Sequence, residues 1–213
     1  MTVLVRTVAV GRPREVPGPR DGDLTSTAIW KEPVEGPVEV GPENLAGDEQ
    51  ADRVSHGGPD KSVYVYGEED LAWWRGELGA LDDQVFGQNL TTVGYDLRDA
   101  VVGERWRVGT AEFLVVQPRT PCFKLGMRAG DRSMPRRFTA AVRPGVYLRV
   151  TTTGTLAAGD ELHVLDRPAH GVTMAEAFAI VHHDRDRAAR LLEAPDLPAG
   201  WHAWARERLA HHR

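Results

Sequence analysis

The chain has 213 residues, which allows one full domain with an appendage or two small domains. Its apolar fraction of 41% is ordinary for a globular protein, and its net charge of −5 disfavours nucleic acid or an anionic membrane as a partner. Apolar runs stay shorter than the ~18 residues of a membrane span. A single cysteine excludes an internal disulfide and fits a reducing, cytoplasmic location.

Short β-prone runs, separated by turn residues, occupy the first ~165 residues. A first strand is predicted over the apolar segment Val3–Val10, and residues 12–24, with three prolines, are predicted to form a surface loop. Further strands are predicted at Thr27–Lys31, Val38–Val40, Ser62–Tyr66, Trp106–Val108, Glu112–Val116, Val146–Thr152 and Glu161–Leu165. Many short strands favour a barrel or a sandwich over a parallel sheet.

Two short helices are predicted to interrupt this β-rich part. Leu71, Trp74 and Leu78 have helical spacing in the first, Glu68–Leu78, which also carries acidic residues in its first turn. The second is Ser133–Val142, with a similar apolar spacing.

Beyond Arg167-Pro168 the composition changes and the chain is predicted to be helical. Thr173, followed three residues later by Glu176, forms a capping-box pattern that begins the first helix. The other two helices are predicted at Arg185–Glu193 and Ala199–His211. The predicted domains are thus a β-rich domain, residues 1–167, and a helical segment, residues 168–213. Because three short helices bury little core alone, the segment is expected to pack on the β-rich domain or on a partner subunit.

Cys122 is the first candidate for chemistry. It follows a predicted strand, and two prolines restrict its segment, Gln117–Leu125, which suits the presentation of a side chain. Positive charge on the nearby Arg119 and Lys124 would favour the thiolate, the form that attacks or binds metal. The alternative is a small, buried hydrophobic residue.

Two polar segments are weaker candidates. The paired glycines of His56-Gly-Gly-Pro-Asp-Lys61 allow close approach of the backbone to an anion, with Lys61 as a counter-charge, or form a simple turn. The segment Phe86–Thr92 offers uncharged donors and acceptors for a polar heterocycle, or is a loop without a ligand.

Two further groups have alternating spacing. Tyr147 and Arg149 would lie on one face of a strand. There, Arg149 would bind a phosphate group or, alternatively, face solvent. Asp48, Gln50 and Asp52 would line a site or form a hydrated turn.

Taken together and in order, these segments resemble the MOSC domain family, named after the C-terminal domain of molybdenum cofactor sulfurases, in its YiiM-like branch. The matching stretches are Gly47–Asp52, His56–Ser62, Asn89–Thr92, Gln117–Leu125, Gly145–Arg149 and the turn from Thr155 to Asp160. The tail from about Val172 resembles the three-helix appendix of that branch. The resemblance covers nearly the whole chain.

The resemblance implies a mainly β (α+β) fold, a mostly antiparallel β-barrel with short inserted helices and a C-terminal three-helix appendix. It implies a molybdenum-molybdopterin cofactor with Cys122 as the metal ligand and catalytic residue. It also implies cofactor-binding residues, namely His56, Asp60, Lys61, Asn89, Thr91, Arg119, Lys124, Tyr147 and Arg149. Related proteins reduce N-hydroxylated bases and amidoximes, confer tolerance to N-hydroxylaminopurine-type analogues, or carry sulfur.

One residue departs from the family pattern. The family has a glutamate before the Asn-Leu-Thr-Thr stretch, and this chain has Gln88, which cannot act as a base. One cysteine also cannot hold an iron–sulfur cluster. A reductase of this kind therefore requires electrons from a separate reductase protein.

Three functions stay open at this point. The first is a molybdenum-dependent oxidoreductase, and the second is a non-redox carrier of sulfur or cofactor with a persulfide on Cys122. The third is a binding protein whose helical tail contacts a partner. The tail and the apolar strand edges also suggest a homodimer.

Overall fold

A computed structural model describes residues 2–20, 22–52 and 57–211. The strands of this part are β1 (Val3–Val10), β2 (Arg14–Pro17), β3 (Leu24–Thr27), β4 (Glu32–Val34), β5 (Val38–Val40), β6 (Val63–Gly67), β7 (Leu90–Val93), β8 (Arg105–Val108), β9 (Ala111–Gln117), β10 (Val146–Thr152), β11 (Gly154–Leu156) and β12 (Glu161–Asp166). Its α-helices are α1 (Glu68–Leu78), α2 (Phe123–Ala129), α3 (Met134–Ala141), α4 (Met174–His182) and α5 (Ala199–Ala210).

Seven strands close into a barrel in the order β12-β8-β9-β10-β6-β7-β1. Pairing of Val3 with Leu162 joins β1 to β12 and completes the ring. The neighbours are antiparallel, except for the parallel pair β6 and β7. The expected α+β fold, built on a mostly antiparallel barrel, is confirmed.

The barrel interior and an outer aromatic layer form two hydrophobic clusters. Large apolar side chains such as Trp106 and Phe113 fill the interior, since alternate residues of a strand point inward. Outside, Tyr66 stacks on Phe86 with ring centroids 4.4 Å apart, and its hydroxyl accepts a hydrogen bond of 2.8 Å from Trp74 Nε1. This layer lies under α1 and α3 and holds β6 firmly in place.

The N-terminal loop prediction is wrong. The strands β2 and β3 form a hairpin that extends from Arg14 to Thr27, and these two residues pair with each other. A two-stranded hairpin tolerates proline at its ends and outer edges, where no ladder hydrogen bond is needed. The predicted strand Thr27–Lys31 is displaced accordingly, because β3 already ends at Thr27.

Two elements near the predicted site differ from expectation. Residues Leu90–Val93 form the interior strand β7, although their polar neighbours had suggested a loop. The helix α2 begins directly after Cys122 and ends at Ala129, and the φ of 66° at the capping residue Gly130 suits glycine. The predicted helices Glu68–Leu78 and Ser133–Val142 correspond to α1 and α3.

The C-terminal helices pack on the barrel of the same chain. Thr173 Oγ1 accepts the amide of Glu176 at 3.1 Å, as its capping-box pattern predicts. The backbone of Val102 bonds to Val172 at 3.0 Å, and buried residues of the tail join the cluster that fills the barrel. The middle element, Arg185–Glu193, consists of 3₁₀ turns. No helix in the described part of the chain is long and apolar enough to cross a membrane.

His182 gives the tail a predicted dependence on pH. Its ring lies 4.4 Å from that of Phe178, and burial, followed by the charges of His183 and Arg185, lowers its pKa below 6.5. The unfolded chain then binds the proton more readily, so stability falls as the pH drops through 6.5 towards the lower folded pKa. Urea unfolding of wild type and His182→Phe between about pH 7.5 and 5.5 tests this. We expect a flatter pH dependence in the variant; parallel profiles would contradict the assignment.

Candidate functional site

A cleft of about 630 Å³, partly open to solvent, lies beside the β2–β3 hairpin at one end of β6 and β10. Many of the residues that line it carry polar or ionisable groups: Lys31, Asp48, Glu49, Gln50, Asp52, Lys61, Tyr64, Asn89, Arg119, Cys122, Lys124 and Tyr147. The family resemblance implied six of these as site residues, namely Lys61, Asn89, Arg119, Cys122, Lys124 and Tyr147. Three more were candidates from their alternating spacing: Asp48, Gln50 and Asp52.

Cys122 lies at the N-terminal end of α2, in extended backbone with φ of −131°. Its side chain is partly exposed and lines the cleft, unlike the buried hydrophobic residue of the alternative interpretation. The charges of Lys61 and Arg119 both interact with it. Positive charge beside a thiol favours its thiolate form.

Arg119 is a buried cation beside this thiol. It is 6% exposed, donates a hydrogen bond to the carbonyl of Phe86, and lies 5.0 Å from the ring centroid of Tyr64. Burial alone would lower the pKa of Arg119, but Tyr147, Tyr64 and Cys122 together raise it. The guanidinium therefore stays charged in the cleft wall.

Asp48 organises a buried polar network on the opposite wall. Its carboxylate accepts the amide of Gly11 at 2.8 Å, Asn89 Nδ2 at 2.9 Å, and the ammonium group of Lys31. Burial lowers the pKa of Lys31, an effect that Asp48 partly offsets. This pair gives the cleft a second cation that is held in a fixed position.

Asn89 positions this network. Its Oδ1 accepts the amide of Tyr64 at 3.0 Å, while its Nδ2 donates to Asp48 and to the carbonyl of Ala9. Its side-chain groups are thus engaged within the protein. Asn89 lines the cleft, and its evident role is to fix Asp48 between β1 and β6.

Two tyrosines and a lysine complete the wall near Cys122. The rings of Tyr64 and Tyr147 lie 4.8 Å apart, and burial raises the pKa of Tyr64 well above its ordinary value, so this phenol stays neutral. Burial lowers the pKa of Lys61, while Asp52, Asp60 and Cys122 raise it. Lys124 Nζ donates to the carbonyl of Ser26 at 3.2 Å and ties α2 to the hairpin.

Other predicted residues lie outside the cleft lining. Arg149 Nε and a terminal guanidinium nitrogen lie 2.7 and 2.5 Å from Asp60 Oδ1, so these two residues pair with each other. Thr91 is buried in β7, where its hydroxyl accepts a hydrogen bond of 3.2 Å from Gln88 Nε2. The predicted site residue His56 lies outside the described residues. The cofactor roles of these four residues stay predictions.

Gln88 lies between Gly87 and Asn89, which line the cleft, but does not line the cleft itself. Its side chain is fully buried, and Nε2 donates to the carbonyl of Asp83 at 2.6 Å. Its Oε1 is buried with no hydrogen-bond partner among the described residues.

Sequence reasoning missed Lys31 and Tyr64. No motif surrounds Lys31 in the sequence, and its partner Asp48 lies 17 residues further along the chain, so no local pattern joined the two. Tyr64 belongs to a strand whose five residues are all buried, so alternation gave no signal.

The comparisons with known proteins agree with this fold. The MOSC domain pattern matches residues 52–163. The chain is 34% identical to the uncharacterized protein YflK of Bacillus subtilis over 203 residues, 93% of this chain and 91% of that one. It is 32% identical to a protein named "Reductase" from Gibberella moniliformis over 186 residues, 85% of this chain but 33% of the relative.

The chain therefore belongs to the MOSC domain family. Within it, the structure is similar to the crystal structure of YiiM from Geobacillus stearothermophilus, with a TM-score of 0.81 and 28% sequence identity. That superposition covers 97% of this chain and 99% of the other, which includes the C-terminal helices. The predicted YiiM-like character is confirmed.

Proposed function

We propose that this protein binds a molybdenum-pterin cofactor through Cys122 and reduces N-hydroxylated bases or amidoximes. The observation that carries the proposal is the partly exposed thiol of Cys122 in a cleft that contains several cations. Membership of the MOSC family, which is associated with this cofactor, and one relative named a reductase support it.

The donor groups of the cleft fit such a cofactor. A thiolate is a soft ligand and suits molybdenum in a sulfur-rich environment. The cations suit the phosphate and polar edges of a pterin: they are Lys31, Lys61, Arg119 and Lys124.

The reaction breaks the N–O bond of the substrate. An N-hydroxyl group, two electrons and two protons yield an N–H group and water. The bound cofactor would supply the electrons at the metal, and the protein would supply binding, orientation and electrostatics. Lys61 Nζ, whose pKa burial lowers, would hold one of the protons close to Cys122. The electrons come from a separate reductase protein.

A second candidate function is that of a sulfur or cofactor carrier. The partial exposure of Cys122 also suits a persulfide-bearing thiol, which needs access to a donor and an acceptor. A persulfide on Cys122 in protein without metal would favour this function.

Turnover of N-hydroxylaminopurine to adenine tests the main proposal. The full chain is produced in a host that makes molybdenum cofactor, and a low-potential dye donates the electrons. We expect conversion that disappears in protein from the same host grown without molybdate. Absence of conversion by protein that contains molybdenum and pterin would contradict the reductase assignment, and mass spectrometry of Cys122 would then test for a persulfide.

A further inference from the structure

A second cavity lies between the C-terminal helices and the barrel, and among the described residues Lys61 is the one lining residue that it shares with the cleft above. It has a volume of about 900 Å³, including its open mouth. Apolar residues of the helical segment form one wall: Val181, Pro198, Trp201 and Trp204. Polar residues of the barrel form the other: Asp60, Lys61, Gln117 and Thr120. We call this cavity the tryptophan groove.

The two indoles lie on the same side of α5 because they are three residues apart. Trp201 Nε1 donates to Gln117 Oε1 at 2.9 Å, and Gln117 Nε2 donates to the carbonyl of Asp60 at 3.0 Å. Gln117 is itself buried in β9. The orientation of Trp201 is therefore fixed by the barrel before any ligand binds.

Gly200 leaves space between these walls. A Cβ atom at this position would meet no described atom within 4 Å, apart from its own helix and chain neighbours. Gly200 is the second residue of α5, and its missing side chain leaves this part of the groove open.

The groove connects with Cys122. A third cavity, of about 640 Å³, is lined by Lys61, Gln117 and Thr120 of the groove and by Cys122 and Tyr147 of the cleft. The groove and Cys122 therefore border the same intermediate cavity.

We propose that the tryptophan groove binds the planar heteroaromatic ring of the substrate, a purine-like base, against the indoles of Trp201 and Trp204. This inference rests on the proposed function and names where its substrate lies. Aromatic faces stack on any base and need no charge on the ligand, which suits an uncharged ring. The N-hydroxyl substituent then points to Cys122, with Lys61 at the ring edge.

Filling the groove from Gly200 is the most direct test. The full chain from a cofactor-producing host is titrated with N-hydroxylaminopurine in a calorimeter, and molybdenum and pterin are measured in the same samples. We expect Gly200→Leu to weaken binding of the base by about tenfold or more. Molybdenum and pterin contents are expected to stay unchanged, and the melting temperature is expected not to fall, because leucine is the better helix former.

Gly76→Leu is the matched control. Gly76 also lies in a helix, α1, and a Cβ there would likewise meet no described atom within 4 Å. It is exposed and outside all three cavities, so binding is expected to be unchanged. Unchanged binding by Gly200→Leu would overturn the proposal. Loss of pterin from Gly200→Leu would also overturn it, since the groove would then hold the cofactor's own ring.

A second pair of variants tests the stacking itself. Trp204→Leu is expected to weaken binding about tenfold or more, whereas Trp204→Phe keeps an aromatic face and is expected to stay within about threefold of wild type. Equal losses in both variants would overturn the stacking assignment.

If the wild type lacks molybdenum but Gly200→Leu still loses the base, the proposed function fails and the groove stands. If the wild type turns over substrate and Gly200→Leu binds it normally, the groove fails and the function stands.

Discussion

Cys122→Ser is expected to lose molybdenum and, with it, all reduction of N-hydroxylated bases. A serine hydroxyl is a harder and more weakly ionised ligand than a thiolate, and it suits a sulfur-rich molybdenum centre poorly. Removal of even an outer-shell partner of a metal ligand costs about 10–100-fold in affinity or activity, so loss of the ligand itself is expected to cost at least as much. Molybdenum content measured by mass spectrometry, together with the rate of adenine formation, checks this.

The fold of this variant is expected to survive. Cys122 is partly exposed and belongs to neither hydrophobic cluster, so its replacement leaves the core intact. Thr120→Ala, in the same segment, changes a residue that lines the tryptophan groove but not the cleft, so it serves as a control for metal content alone and is expected to keep its metal. Retention of stoichiometric molybdenum by Cys122→Ser would remove the ligand assignment.

Asp48→Asn is expected to lower the free energy of unfolding by about 3–5 kcal/mol, the usual cost of breaking a buried ion pair. The Lys31 side chain is 9% exposed and that of Asp48 is 4% exposed, so solvent does not replace the lost charge. Without Asp48, burial acts unopposed on Lys31 and lowers its pKa further. Urea unfolding at neutral pH measures the loss.

The double variant Lys31→Met with Asp48→Asn separates charge from packing. Because it leaves no uncompensated buried ammonium group, it is expected to regain most of the stability. It lacks one cation of the cleft, so its affinity for the pterin cofactor is expected to stay reduced. If Asp48→Asn alone lowers the free energy of unfolding by less than about 1 kcal/mol, the ion pair of Lys31 and Asp48 contributes no more than an exposed pair does. That result would contradict the prediction.

The barrel was predictable because its signals are local. Alternating apolar residues in β9 and β10, and turn residues between the strands, specify short antiparallel elements within a few residues. The capping pair Thr173 and Glu176 specifies the start of α4 in the same way. The order of the strands around the barrel depends on distant pairs, which no local pattern indicates, and the family resemblance implied only a mostly antiparallel barrel.

The site was predictable only where a motif surrounds the residue. The two prolines around Cys122 indicated a presented side chain, and the structure places it in the cleft wall. Lys31 had no such context, since its role depends on a turn that brings Asp48 against it. The pairing of Trp201 with Gln117 spans 84 residues and joins the tail to the barrel, which no local pattern could indicate. Likewise, strand alternation placed Arg149 on the face of Tyr147 but could not indicate that Asp60 would pair with it.

The molybdenum and pterin contents of the wild-type chain test the central claim most directly. The protein is purified from a host that makes the cofactor, and metal and pterin are measured on the same sample. We expect near-stoichiometric amounts of both, bound together, since the cofactor carries the chemistry and the cleft supplies its thiol and cations. Protein that is folded and free of both molybdenum and pterin would contradict it.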